Sequence, residues 1–186
     1  MRATILVRNI TENNQAAAAE IWQNGLQQTV DAIAAKFYLP SWFMNHTLGR
    51  LFNYMATQAM SLDGDVGPNG SNLCKHWKGD DRCMFIACAE QDKVIGLVGV
   101  KKGAKEQEAA SDDDASIASI WRLSVSEAYR GQGVAEKLML EAEKWAKENQ
   151  CHSMTLNTMN PIASKFYIHK MKYTANVSCT YTKQLE

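Results

Sequence analysis

Residues 120–135 read Ile-Trp-Arg-Leu-Ser-Val-Ser-Glu-Ala-Tyr-Arg-Gly-Gln-Gly-Val-Ala. An apolar, β-prone run enters a short turn of small residues, and the turn opens directly into an amphipathic helix, Val134 to Lys147. The first N–H groups of such a helix lack intrahelical acceptors and carry the positive end of its dipole. Small side chains leave the backbone of the turn bare enough to approach an anion. The stretch therefore predicts a phosphate cradle built mainly from main-chain amides. A tight turn that needs Gly131 and Gly133 for conformation alone is the plainer reading of the same residues.

The rest of the chain bounds the setting. Its 186 residues are 46% hydrophobic and 22% charged, which suits a single domain over 1–186. Twenty basic residues balance twenty acidic ones, so no positive surplus argues for a nucleic-acid partner. No stretch has the apolar length of a transmembrane segment. The nearest, Phe37 to Met60, is broken by Asn45, His46, Arg50, Asn53, Thr57 and Gln58, and reads as an amphipathic helix over a core or pocket. A membrane-surface helix is its sharper alternative. The cysteines at 74, 83, 88, 151 and 179 form no CxxC pair, and the first residues do not read as a secretory signal. Free thiols in the cytoplasm are the expectation, with no metal site.

Local patterns set the element order. Thr4–Arg8 is a short strand, Thr11 a candidate N-cap, and Asn14–Asn24 and Gln27–Lys36 two helical stretches. Asp63–Asn72 and Gly103–Ala115 read as loops. Arg82–Ala89 and Lys93–Lys101 form a hairpin about Gln91-Asp92, and Ser116–Val125 is a long strand. The helix over Gly133–Glu148 carries an apolar stripe of Ala135, Leu138, Ala142, Trp145 and Ala146. Ser153–Asn157 is a strand. Pro161–Met171 is a helix capped by Asn160, and Tyr173–Lys183 supplies one or two last strands.

Three segments then line up: Leu123-Ser124-Val125, Arg130-Gly131-Gln132-Gly133-Val134-Ala135, and Asn160 to Tyr167. Together they resemble the GNAT superfamily, the Gcn5-related N-acetyltransferases, whose motif (Gln/Arg)-x-x-Gly-x-(Gly/Ala) is filled by Arg130, Gly133 and Ala135. The resemblance covers Arg82 to Tyr173, and its wording is most similar to the camello-like branch. It implies an α/β (α+β) fold: a mixed, mostly antiparallel sheet flanked by helices, with a splayed pair of parallel strands. It implies acetyl-CoA as co-substrate, held by a core over 82–173, with helices of 12–60 on the acceptor side.

Site roles follow from that resemblance. The amides of Gly131, Gln132, Gly133, Val134 and Ala135 would hold the pyrophosphate, with Arg130 as added charge or a surface group. Leu123, Ser124 and Val125 would pair with the pantetheine arm where their strand leaves Ser153–Asn157. The Val125 N–H would face the thioester carbonyl. Asn160 would cap its helix and bond the arm. Tyr167, seven residues on, would be the general acid for the departing thiolate. Where the family closes this helix with a glycine and an aromatic residue, this chain has Met171-Lys172-Tyr173, one residue longer. A one-residue slip there would put Ile168 in the tyrosine's place. Ser119 stands where many relatives carry a carboxylate, so the general base is open among Glu90, Asn157, His152 and water.

The expected activity is direct transfer of an acetyl group to a primary amine in a ternary complex. A non-catalytic acyl-CoA-binding or regulatory module on the same fold is the alternative. A small-molecule amine and a protein amine both stay open as acceptor, with Trp42, Phe43, Phe52 and Tyr54 as candidate groove residues, and a homodimer is open too.

Overall fold

A computed structural model describes residues 4–36, 72–103, 116–158, 160–176 and 180–185. The apolar segment 37–60, and most of the loops at 63–72 and 103–115, lie outside them. In chain order the elements are β1 (Leu6–Asn9), α1 (Gln15–Lys36), α2 (Leu73–His76), β2 (Lys78–Gly79), β3 (Arg82–Cys88), β4 (Val94–Lys102), β5 (Ile117–Val125), α3 (Val134–Glu148), β6 (Ser153–Asn157), α4 (Pro161–Lys165), β7 (Thr174–Ala175) and β8 (Thr180–Gln184).

The strands form one eight-stranded sheet in the order β1-β3-β4-β5-β6-β8-β7, with β2 also on β3. Every described pairing is antiparallel except β5 with β6. The mixed, mostly antiparallel sheet with one parallel pair is the architecture expected from the sequence. Alternating side chains send β3 to two cores. Met84, Ile86 and Cys88 pack with Ala18, Ala19 and Trp22 of α1. Phe85 and Ala87 pack with Val134, Leu138 and Met139 of α3. The β3–β4 connection turns at Gln91 and Asp92, both at positive φ (58° and 59°), as a tight hairpin needs.

Local expectations are corrected at four places. Helices 14–24 and 27–36 are one continuous helix, Gln15–Lys36. Thr11 is not its N-cap: the Asn14 carbonyl accepts the Ala18 N–H, and the Asn14 side chain accepts the Thr11 N–H at 2.8 Å. On α3, Ala135 and Trp145 are only half-buried, while Val134, Met139 and Glu143 are buried. Glu143 tolerates this because Lys183 of β8 reaches both its carboxylate oxygens at 2.8 Å.

The fourth correction concerns the last helix. It is α-helical only to Lys165, and Phe166–Lys170 is a π turn. The Met171 N–H bonds the Phe166 carbonyl, and the Tyr173 N–H reaches back to Tyr167. The wider turn takes up one extra residue without shifting the residues before it. Lys172 then reverses the chain at φ 63°, the left-handed region where a glycine usually ends a helix. A side chain there costs about 1–2 kcal/mol. We expect Lys172→Gly to stabilise the protein by about 1 kcal/mol, a rise of about 2–4 °C in thermal midpoint. An unchanged or lower midpoint would show that this backbone position carries no such cost.

Candidate active site

The site begins where two parallel strands part. β5 and β6 pair at Ile117↔Ser153, Ala118↔Met154 and Ser119↔Thr155, and no further among the described residues. On its other edge β5 stays on β4, but with a bulge: Ser124 faces Leu97 and Trp121 faces Gly99, so Arg122 and Leu123 share one partner position. Arg122 takes the extra residue's strain at φ 55°. Such a bulge bends its strand and re-aims side chains. Past it, the Ser126 N–H bonds Ile95 on the β4 side, whereas the Val125 carbonyl accepts from Arg130 Nε at 3.2 Å. Strand alternation therefore turns the N–H of Val125, like its carbonyl, towards the open edge.

The turn closes one end of this fork. Gly131 and Gly133 sit at φ 73° and 83°, a conformation that a side chain would oppose. The Lys137 N–H is the first to close a helical bond, to the Gly133 carbonyl. The N–H groups of Val134, Ala135 and Glu136 thus open the helix without intrahelical acceptors. Arg130 does not project freely from this turn. Besides Val125 it bonds the side-chain oxygen of Gln28, whose amide in turn donates to Glu127 at 3.1 Å.

The opposite bank is α4. The Asn160 carbonyl accepts the Ser164 N–H, and its side-chain oxygen accepts the Ala163 N–H at 3.4 Å, so Asn160 caps α4 as expected. Its amide also donates to Thr29 Oγ1 of α1 at 3.3 Å. Tyr167 is buried against Tyr173 and Tyr181 at ring separations of 5.9 and 6.1 Å. Burial pushes its phenol well above the ordinary range and holds it protonated at neutral pH.

Fork, turn, α4 and α1 together enclose a cavity of about 610 Å³. Leu123, Ser124, Val125, Arg130, Ala135, Asn160 and Tyr167, all singled out from sequence, line it. Gly131 and Gln132 lie exposed beside it, Gly133 is half-buried, and the Val134 side chain belongs to the core. Helices of 12–60 were expected on the acceptor side, but the α1 residues that form this wall were not named from sequence. Gly25 lets that helix close on β5: a Cβ there would sit 2.9 Å from Ser124 Oγ. Gln28, Thr29 and Arg122 line the cavity too. A glycine inside a helical pattern was the available signal for that approach.

The candidate bases fare differently. Ser119 is buried, accepts from Trp121 Nε1 at 3.0 Å and donates to the Lys101 carbonyl at 3.3 Å. His152 lies exposed at the start of β6, the end remote from Asn157, which does line the cavity. Glu90 belongs to the β3–β4 turn. No carboxylate lines the cavity among the described residues.

The tyrosine cluster has a measurable consequence. Burial raises the phenols of Tyr167 and Tyr173 in the folded state, above the value of about 10 that each has when unfolded. Their contribution is fully present below about pH 10 and is lost as pH rises towards the folded values. We expect the thermal midpoint to fall above pH 10, and to fall less steeply in Tyr173→Phe. Parallel slopes would remove that residue from the alkaline transition.

Comparison with known proteins places this architecture. A family model described as acetyltransferase (GNAT) family matches residues 55–173. An acetyltransferase of Agrobacterium fabrum (strain C58), Atu2258, is 47% identical over 102 residues, which are 52% of this chain and 63% of that protein. The chain thus matches less than two thirds of that curated relative's length. Among solved structures, the PaiA N-acetyltransferase of Thermoplasma acidophilum, in complex with coenzyme A, superposes with TM-score 0.60 at 19% identity, covering 97% of this chain and 99% of that one. A GNAT family N-acetyltransferase of Escherichia coli in complex with CoA gives TM-score 0.58 at 14% identity, covering 99% and 83%. Because that family model spans more than half of its residues, the chain belongs to the acetyltransferase (GNAT) family.

Proposed function

We propose that the protein is an acetyl-CoA-dependent N-acetyltransferase that acts on a primary amine by direct transfer in a ternary complex. The observation that carries this reading is the outward-facing N–H of Val125 at the fork. It lies in one cavity with Tyr167 and next to a helix mouth whose amides are unpaired. The two solved N-acetyltransferases above were captured with coenzyme A, which supports the same co-substrate here. The wording of Leu123–Val125 and Arg130–Ala135 supports a place in the camello-like branch. Buried free thiols at Cys88 and Cys151 suit a reducing cytoplasm.

Acetyl-CoA supplies an activated acyl group and a good leaving thiol. The amides of Gly131 to Ala135 and the α3 dipole would hold its pyrophosphate. The open edge of Leu123–Val125 offers strand-like partners to the amide-bearing arm, and Asn160 faces the same cavity. As the amine nitrogen attacks, the Val125 N–H stabilises the negative charge that develops on the carbonyl oxygen. A C–N bond forms and the C–S bond breaks, its electron pair passing to sulfur. Tyr167 gives its hydroxyl proton to that sulfur, and the amine's surplus proton leaves through water and restores the phenol. One proton thereby moves, net, from nitrogen to sulfur.

Two substitutions and one panel test this. Gly133→Val forces a β-branched residue into the left-handed region at the helix mouth, and should weaken acetyl-CoA binding at least about tenfold by calorimetry. Tyr167→Phe should lower turnover about 100-fold or more while leaving acetyl-CoA affinity within about twofold. An unchanged rate would remove Tyr167 as the acid. The buried, committed Ser119 and the lack of a lining carboxylate among the described residues favour one rival, an acyl-CoA-binding module without catalysis. Stabilisation by acetyl-CoA with no thiol release across an amine panel would decide for it, and no stabilisation at all would defeat both.

A further inference from the structure

The side chain of Ser124 has a place that holding the coenzyme arm does not explain. Strand alternation sends neighbouring residues of β5 to opposite faces of the sheet. Leu123 and Val125 pack on the α3 side, against the cluster that holds Leu156 and Tyr167. Ser124 stands opposite Leu97, whose side chain packs with α1. Its hydroxyl therefore faces α1, one residue before the N–H that looks onto the open edge.

Space is kept for that hydroxyl. Gly25 lies over it, and a Cβ there would sit 2.9 Å from Ser124 Oγ and 3.4 Å from the serine Cβ. Glycine is a poor residue inside a helix, and this one falls where α1 crosses Ser124. Gln28 and Thr29, the next polar residues of α1 on the cavity, are engaged with Arg130, Glu127 and Asn160. Ser124 also lines the cavity, and no hydrogen bond to its hydroxyl is seen among the described residues. Such a rotor accepts from an arriving group without giving up a bond inside the protein.

The fork decides which group arrives there. A nucleophile adds to a carbonyl from above or below its plane. An acyl group whose oxygen is held by the Val125 N–H lies along the strand edge, with one face to the apolar α3 side and the other to α1. The polar amine comes over the α1 face, and there it meets Ser124 Oγ.

We propose that Ser124 is the amine-orienting residue: its hydroxyl oxygen accepts one N–H of the incoming amine and turns the nitrogen lone pair onto the thioester carbonyl. This rests on the acetyltransferase reading above. The nitrogen's electron pair forms the C–N bond, the C–S pair passes to sulfur, and the amine's surplus proton leaves to water. Ser124 neither gains nor loses a proton. Gly25 is the positioning residue behind it, because its missing side chain leaves the hydroxyl this rotamer.

The test is a double-mutant cycle on the full chain. Thiol release is followed at saturating acetyl-CoA with the protein-forming amino acids, benzylamine, spermidine and a lysine-containing peptide, and the fastest acceptor is kept. Ser124→Ala removes the hydroxyl and spares the main chain. It should lower kcat and kcat/KM alike by about fivefold or more, with the acetyl-CoA Kd within about twofold and the thermal midpoint unchanged. A merely structural serine would shift the midpoint and leave kcat in place. Gly25→Ala suits a helix and so folds, but its methyl turns the hydroxyl away. It should lower kcat about threefold or more in the parent and less than about twofold in Ser124→Ala. A smaller loss in Ser124→Ala would overturn the proposal, as would an equal cost of Gly25→Ala in both backgrounds. No thiol release by the parent with any acceptor would instead bring down the acetyltransferase reading on which it rests.

Discussion

Main-chain hydrogen-bonding demand at the fork between β5 and β6 governs the rest of this molecule. A buried strand edge has to find partners for its N–H and C=O groups, and each one left empty costs about 1–3 kcal/mol. Three parallel pairs hold the strands together, and past Ser119 they diverge. The bulge at Arg122 bends β5 away, and Arg130 takes the Val125 carbonyl. What is left over is a polar edge shaped for an extended, amide-bearing ligand. The helix mouth bounds that edge at one end and the capped helix at the other.

Much of this arrangement is local and could be read from residues alone. The strand, glycine turn and amphipathic helix over 120–148 carry their signals within a few positions of one another, as does the Asn-Pro start of α4. Features with a tertiary cause were harder to see. Gly25 looks like a helix break because glycine is a poor helix former, yet it is there for a close approach to Ser124 that only the folded chain reveals. The bulge at Arg122 exists in the register between two strands, and neither strand shows it alone. The π turn has no composition of its own; the trace it left was a helix one residue too long for its family, with lysine in place of glycine.

Ser119 shows how strand context decides chemistry. A hydroxyl at that point reads equally well as a replaced base or as a core residue. Its commitment to Trp121 and to the Lys101 carbonyl makes it structural. Tyr167 differs: it is enclosed enough to stay neutral, and no hydrogen bond to its hydroxyl is seen among the described residues.

The uninterrupted α1 has one further consequence. Trp22, Gln28 and Thr29 ride on a single rod that is pinned to the turn through Arg130 and to α4 through Asn160. Ligands held at the turn and further along the cavity would both press on that one helix. By reciprocity, each occupant then tunes the grip on the other.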